Sequence, residues 1–242
     1  MPVKRKKSDL PFIEHLEELR RRFLWLLSVL FFFTIIYFLL FDRLSLFKII
    51  LYPLEKINQK LYFYHIAEPF LARVKLSFIF SLVTSAPFIL YHLFAFLIPA
   101  LKRKEKSLGL IFTFLIMVLF STGALFAYYY ILPFSINFLL KFAPQQVKPL
   151  LRLNEYISLC ITFVFGTGLI FQMPLVIIFL TKLDIIDYKF LLRYTGEAII
   201  IIFIISALIT PPDVYSQVLL GLPLILLYLI SIALSYALQN KR

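Results

Sequence analysis

Residues 23–41 read FLWLLSVLFFFTIIYFLLF, nineteen consecutive positions without a charge. An α-helix rises 1.5 Å per residue, so about 20 apolar residues cross the roughly 30 Å of hydrocarbon in a bilayer. The stretch therefore predicts a membrane-spanning helix. Five more candidates follow: 76–101, containing Pro87 and Pro99; 108–132, ending in the aromatic cluster Tyr128-Tyr129-Tyr130; 157–181, containing Gln172 and Pro174; 198–210; and 218–238. The tyrosine cluster reads as an interfacial belt closing the third span. Only 13 residues separate Glu197 from Pro211, about 20 Å of helix, too short for an undistorted bilayer.

Composition agrees. Of 242 residues, 62% are apolar and 16% charged, and the mean hydropathy is +0.92. Soluble domains sit nearer 45–50% apolar. The fold class expected is an all-α integral membrane protein with six transmembrane helices, residues 1–242 forming a single transmembrane domain. One cysteine excludes a disulfide framework within the chain, and six glycines leave no room for a Gly-rich phosphate cradle. The formal charge of +12 flanks hydrophobic spans, a sign of topology and not of nucleic-acid binding. Sixteen Lys and Arg fall on the side of the N-terminus and of the 102–106 and 182–197 loops, against nine on the other. By the positive-inside rule both termini face the cytoplasm.

Two non-spanning segments read as folded. Residues 8–22 place Phe12, Leu16, Leu19 and then Phe23 along one helical stripe, with Ser8 or Asp9 as cap and Pro11 in the first turn. This is expected to be a cytoplasmic interfacial helix leading into the first span. The outer loop 42–75 is rich in Leu, Ile, Phe and Tyr and punctuated by Pro53 and Pro69, and it is expected to pack over the outer mouth.

Nothing in the chain composes a catalytic site. His15, His65 and His92 fall on different sides or depths, Cys160 lies in an apolar span, and no nucleophile–base pair or H-E-x-x-H string occurs. The expectation is a non-enzyme with no metal and no cofactor. The spans hold almost no ionisable groups, which argues against ion coupling at the midplane. Gln172 is the strongly polar mid-span side chain, and its amide has two readings. It satisfies carbonyls that Pro174 frees in its own helix, or it bonds a neighbouring helix. On the inner face, Glu105 is the single acid in Lys102-Arg103-Lys104-Glu105-Lys106, while Glu17 and Glu18 precede Arg21 and Arg22 by four. Such spacing makes ordinary helix-surface ion pairs, but an acid on a cationic face also captures a guanidinium, and bidentate pairing favours Arg over Lys.

The string His15-Leu16-Glu17-Glu18-Leu19-Arg20-Arg21-Arg22 resembles the amino-terminal signature of the TatC family, the multi-spanning subunits of twin-arginine protein translocases. So do E-P-F at 68–70, SAPFILYHLFAFLIPALKRKEK at 85–106 and TPPDVYSQ at 210–217. The resemblance implies six spans of the bacterial cytoplasmic membrane, both termini in the cytoplasm, and fifth and sixth helices both short. It implies a receptor for signal peptides carrying consecutive arginines on folded cargo, with transport driven by the proton motive force. Glu18 and Glu105 would receive the arginine pair, and Arg20, Phe96, Pro99 and Leu101 would shape the same site. Partners implied are the single-span subunits TatA and TatB near the last two spans, other copies of the chain, and the lipid bilayer. The family often carries Glu where this chain has Gln172, so a titrating role there is excluded. Asp213 and Gln217 stand at the turn before the sixth span. Asp213 suits an N-cap there, with partner contact added. In the outer loop, Pro53, Glu68 and Pro69 are the positions singled out. The alternative reading is a small-solute secondary transporter, for which helices broken at Pro87, Pro174 and Pro223 would speak.

Overall fold

The computed structural model describes residues 10–55, 59–97, 106–142, 144 and 150–240. For residues 10–16, 18–19, 93–97 and 106–110 it describes the backbone alone. The chain is mostly helical: α1 (Leu10–Leu39), α2 (Leu46–Glu55), α3 (Glu68–Leu97), α4 (Lys106–Phe126), α5 (Leu132–Leu140), α6 (Leu153–Ile170), α7 (Met173–Lys182), α8 (Tyr188–Arg193), α9 (Thr195–Ile209) and α10 (Val214–Gln239). Two two-residue strands, β1 (Leu61–Tyr62) and β2 (Leu151–Arg152), pair in parallel. Among the described residues, five helical segments are long and apolar enough to cross a membrane: Arg20–Leu39, Glu68–His92, Ile111–Leu140, Leu153–Lys182 and Val214–Gln239. Thr195–Ile209 is a shorter apolar helix.

The quoted stretch 23–41 lies almost wholly within α1, whose 30 residues form one uninterrupted helix, about 45 Å long. It pairs antiparallel with α3. The Trp25 and His92 rings meet edge-on at 5.1 Å, and the Ser81 hydroxyl donates to the Leu30 carbonyl at 2.7 Å. At the far end Arg73 donates to the Phe38 carbonyl at 3.1 Å and pairs with Asp42 at 3.0 Å. Bonds of this kind fix register where lipid supplies no hydrophobic force between helices.

The third span does not stop at its tyrosines. The helix passes through a π-helical turn, Ala127–Ile131, and runs on to Leu140. Pro133 lacks an N–H, and the Leu132 N–H reaches back five residues to the Ala127 carbonyl, so the extra residue absorbs the missing bond without ending the helix. Tyr128 then donates to the Ile49 carbonyl, and its ring stacks on Tyr52 of α2. α2 buries Leu46, Ile50, Pro53 and Leu54, and the buried Tyr156 hydroxyl donates to its Ile50 carbonyl at 2.6 Å.

Of the three breaks that would speak for a solute transporter, the structure shows one. α3 continues through Pro87 and α10 through Pro223; only the run around Pro174 breaks, between α6 and α7. The last helix is accordingly not short. α10 has 26 residues, about 39 Å, while α9 has 15, about 22 Å. α9 is bounded by Thr210-Pro211-Pro212, where helical geometry must end. Asp213 then starts α10, accepting the Ser216 N–H at 2.6 Å as N-cap.

Candidate functional site

Three polar constellations interrupt the apolar fold. The first is the end where α1 begins and α3 stops. The antiparallel register that sets Trp25 against His92 carries the Glu17–Arg20 turn of α1 to the Phe96–Leu97 end of α3. The 98–105 segment, which joins α3 to α4, leaves from that same end. Glu17 and Arg20 are exposed on α1. The side chains of Glu18 and Phe96 lie outside the described residues, as do Pro99, Leu101 and Glu105 altogether. Backbone placement therefore brings the turn bearing Glu18 and the last turn of α3 to one end of one helix pair.

The second constellation lies at the opposite end of the same pair. The Glu68 carboxylate accepts the Tyr64 N–H at 2.9 Å and the Asn154 N–H at 3.3 Å. It thereby ties the 61–67 loop to the first turn of α6, next to the β1–β2 pairing. Pro69 sits in the first turn of α3, where a missing N–H costs nothing. The Lys75 ammonium donates to Asn154 Oδ1 at 2.9 Å and Ser158 Oγ at 2.8 Å. Arg152 pairs with Glu155 at 3.0 Å and lies 4.8 Å over the Tyr64 ring. Sequence reading singled out Glu68 and Pro69 but missed Lys75, Arg152 and Asn154. The signal present was Lys75 at the edge of an apolar run.

The third constellation is within the helices. Gln172 is buried, and its Nε2 donates at 3.2 Å to the Ile116 carbonyl of α4. Of the two readings of that amide, the structure selects a neighbouring helix of the same chain. Its Oε1, like Thr167 Oγ1 one turn earlier, is buried without a partner among the described residues. Gln217 donates at 2.9 Å to the Phe203 carbonyl of α9, tying the short helix to α10. Hydroxyl pairs join Thr181 to Ser235 at 3.0 Å and Ser135 to Ser216 at 2.6 Å. Among the described residues no three His, Cys, Asp or Glu side chains converge on a possible metal position.

Comparison with known proteins decides the family. Residues 14–223 match the family model described as TatC, Sec-independent protein translocase protein. The chain belongs to the TatC family. A TatC protein of Carboxydothermus hydrogenoformans is 32% identical over 97% of this chain and 96% of its own length. TatCy of Bacillus subtilis is 33% identical over 98% and 92%. A crystal structure described as the twin-arginine translocase receptor TatC in DDM superposes with a TM-score of 0.79 at 34% identity, covering 91% of this chain and 99% of that one. The likeness thus runs through all three constellations, and the TatC relatives lend no support to the solute-transporter reading.

Proposed function

We propose that this TatC-family chain is the receptor and core subunit of a twin-arginine protein translocase, and that it catalyses no bond chemistry. It binds signal peptides with consecutive arginines on its cytoplasmic face and helps move folded proteins across the membrane at the expense of the proton motive force. In this reading six helices cross a bacterial inner membrane, α9 being the short fifth, with both termini in the cytoplasm. Glu18 and Glu105 each take one guanidinium of the arginine pair. Arg20, Phe96, Pro99 and Leu101 form the walls of the site. The observation that carries the reading is the α1–α3 register, which sets the Glu17–Arg20 turn beside the end of α3 from which the Glu105 segment departs.

Two acids from separate segments suit a pair of guanidiniums, because carboxylate accepts the planar fork with two parallel hydrogen bonds and lysine offers no such fork. Each charge-assisted bond contributes about 1.5–3 kcal/mol, so the apolar part of the peptide supplies the remaining affinity along the helices. TatA and TatB are the partner subunits in this reading, docking by α9 and α10. Gln172, Asp213 and Gln217 are polar positions for such contacts beyond the bonds they make within the chain. Pro53, Glu68 and Pro69 shape the cap on the outer side, and further copies of the chain complete the assembly.

The test is binding of a labelled twin-arginine signal peptide to the purified protein, compared with its twin-lysine counterpart and with Glu105→Gln. An Arg-over-Lys preference of about tenfold or more, the equivalent of about 1.4 kcal/mol, that shrinks in Glu105→Gln is the expected result. Equal binding of both peptides, indifferent to Glu105, would remove the receptor site from this face.

A further inference from the structure

Two cavities meet at the end of α3 that carries Glu68 and Lys75. One, of about 940 Å³, is an apolar groove between α1 and α3, walled by Leu24, Leu27, Phe31, Val74 and Phe78. The other, of about 530 Å³, is bordered by His65, Glu68, Lys75, Arg152 and Glu155. Leu71, Lys75 and Asn154 border both, so the two cavities adjoin at the Lys75 side chain. The groove follows α1 from Leu24 to Thr34, about 15 Å of helix. A long apolar groove opening into a compact charged pocket fits an amphiphile, an alkyl chain in the groove and a polar head at Lys75.

We propose that the paired cavities bind one phospholipid with a zwitterionic, primary-ammonium head, of the phosphatidylethanolamine class. Inside a bilayer an acyl chain gains no hydrophobic free energy by leaving its neighbours for an equally apolar groove, so selectivity must come from the head pocket. That pocket holds two cations, Lys75 and Arg152, and two carboxylates, Glu68 and Glu155. An anionic head without an ammonium would add net charge to a pocket whose two cations and two carboxylates already balance. A zwitterion matches both signs. Two of the three Lys75 donors are committed to Asn154 and Ser158, leaving the third for a phosphate oxygen. Arg152 spends one nitrogen on Glu155 and keeps further donors of its fork.

The carboxylates select between zwitterions. A primary ammonium offers N–H donors to Glu68 and Glu155, whereas a trimethylammonium offers none and is held instead by aromatic faces. The Tyr64 ring beside this cluster is already covered by the Arg152 guanidinium at 4.8 Å. The site lies at the opposite end of the α1–α3 pair from Glu17 and Arg20. It requires only that the chain sit in a bilayer, so it does not depend on the receptor reading.

Native mass spectrometry of the purified full chain in mild detergent tests it, using ethanolamine, choline and glycerol phospholipids with identical oleoyl chains. The expected result is one retained ethanolamine lipid, preferred about tenfold over each of the others, the scale of one charge-assisted hydrogen bond. Glu155 is largely exposed, so Glu155→Gln leaves the fold intact and reduces the preference over the choline lipid toward unity. Leu27→Trp fills the groove and abolishes retention whatever the head. Equal retention of the three lipids would overturn the proposal. So would many non-saturating copies, a preference unchanged in Glu155→Gln, or retention unchanged in Leu27→Trp.

Discussion

Pro174 and Pro223 sit in similar apolar runs, yet the chain breaks at the first and passes helically through the second. Each removes one N–H and crowds the carbonyl four residues earlier. The difference lies in what the surroundings offer. Before Pro174, α6 closes with the Phe171 N–H on Thr167 and the Gln172 N–H on Leu169, and α7 restarts with Pro174 in its first turn, a position that suits it. The break is supported from outside: Gln172 donates to Ile116, and Phe171 lies against Gly123 so closely that a Cβ there would stand 2.7 Å from its ring. Around Pro223 the described residues show no such side-chain hydrogen bond. Gly221 merely admits the Phe203 side chain of α9, and α10 continues. A proline in a membrane helix permits a break, and the partner that fills the freed space determines whether one forms.

Gln172→Ala is the strongest way to break that comparison. It deletes the bond to Ile116 and leaves a cavity beside α4, at an expected cost of about 2–4 kcal/mol, read as a lowered unfolding midpoint in detergent. Gln172→Leu keeps most of the volume and removes the orphan Oε1 together with the donor, so its midpoint should fall much less. Equal loss in both would show that the hydrogen bond, and not the filling of the gap, holds the break. Gly123→Ala is next. The added carbon would meet Phe171 at 2.7 Å and the Thr167 carbonyl oxygen at 2.9 Å. The backbone oxygen cannot step aside, so α4 and α6 must separate, costing about 1–3 kcal/mol by the same measurement. The smallest effect belongs to Pro223→Ala, which restores an N–H able to bond the Leu219 carbonyl. It should raise the midpoint slightly, by the equivalent of about 1 kcal/mol or less, since neighbouring groups in membrane helices largely offset a proline. A marked loss of stability would mean that Pro223 shapes the α9–α10 contact.

The two ends of the α1–α3 pair were unequally legible. At the Glu17–Arg20 end, the charge pattern read equally as ordinary helix-surface ion pairs, and the TatC resemblance was what singled out Glu18 and Glu105. At the other end Lys75, Asn154 and Arg152 were invisible as a group, because 77 positions separate Lys75 from Arg152 along the chain and only helix packing joins them. Glu68 was marked by its E-P-F string, but its bonds to Tyr64 and Asn154 have no local signature. Asp213 was readable as a cap because its cap bond to Ser216 lies within four consecutive residues.

By itself the sequence determined that the chain is helical and apolar enough for a membrane, where its polar punctuation falls, and that α9 is short. These follow from composition and from local rules about spans, caps and paired prolines. Only the tertiary structure decided which proline breaks its helix, that the helix beyond Tyr128–Tyr130 continues to Leu140, that α10 keeps its full length, and that Gln172 bonds Ile116. Each of these depends on a backbone group or a space contributed by another helix. In a medium without water, those contributions settle whether a polar atom is satisfied.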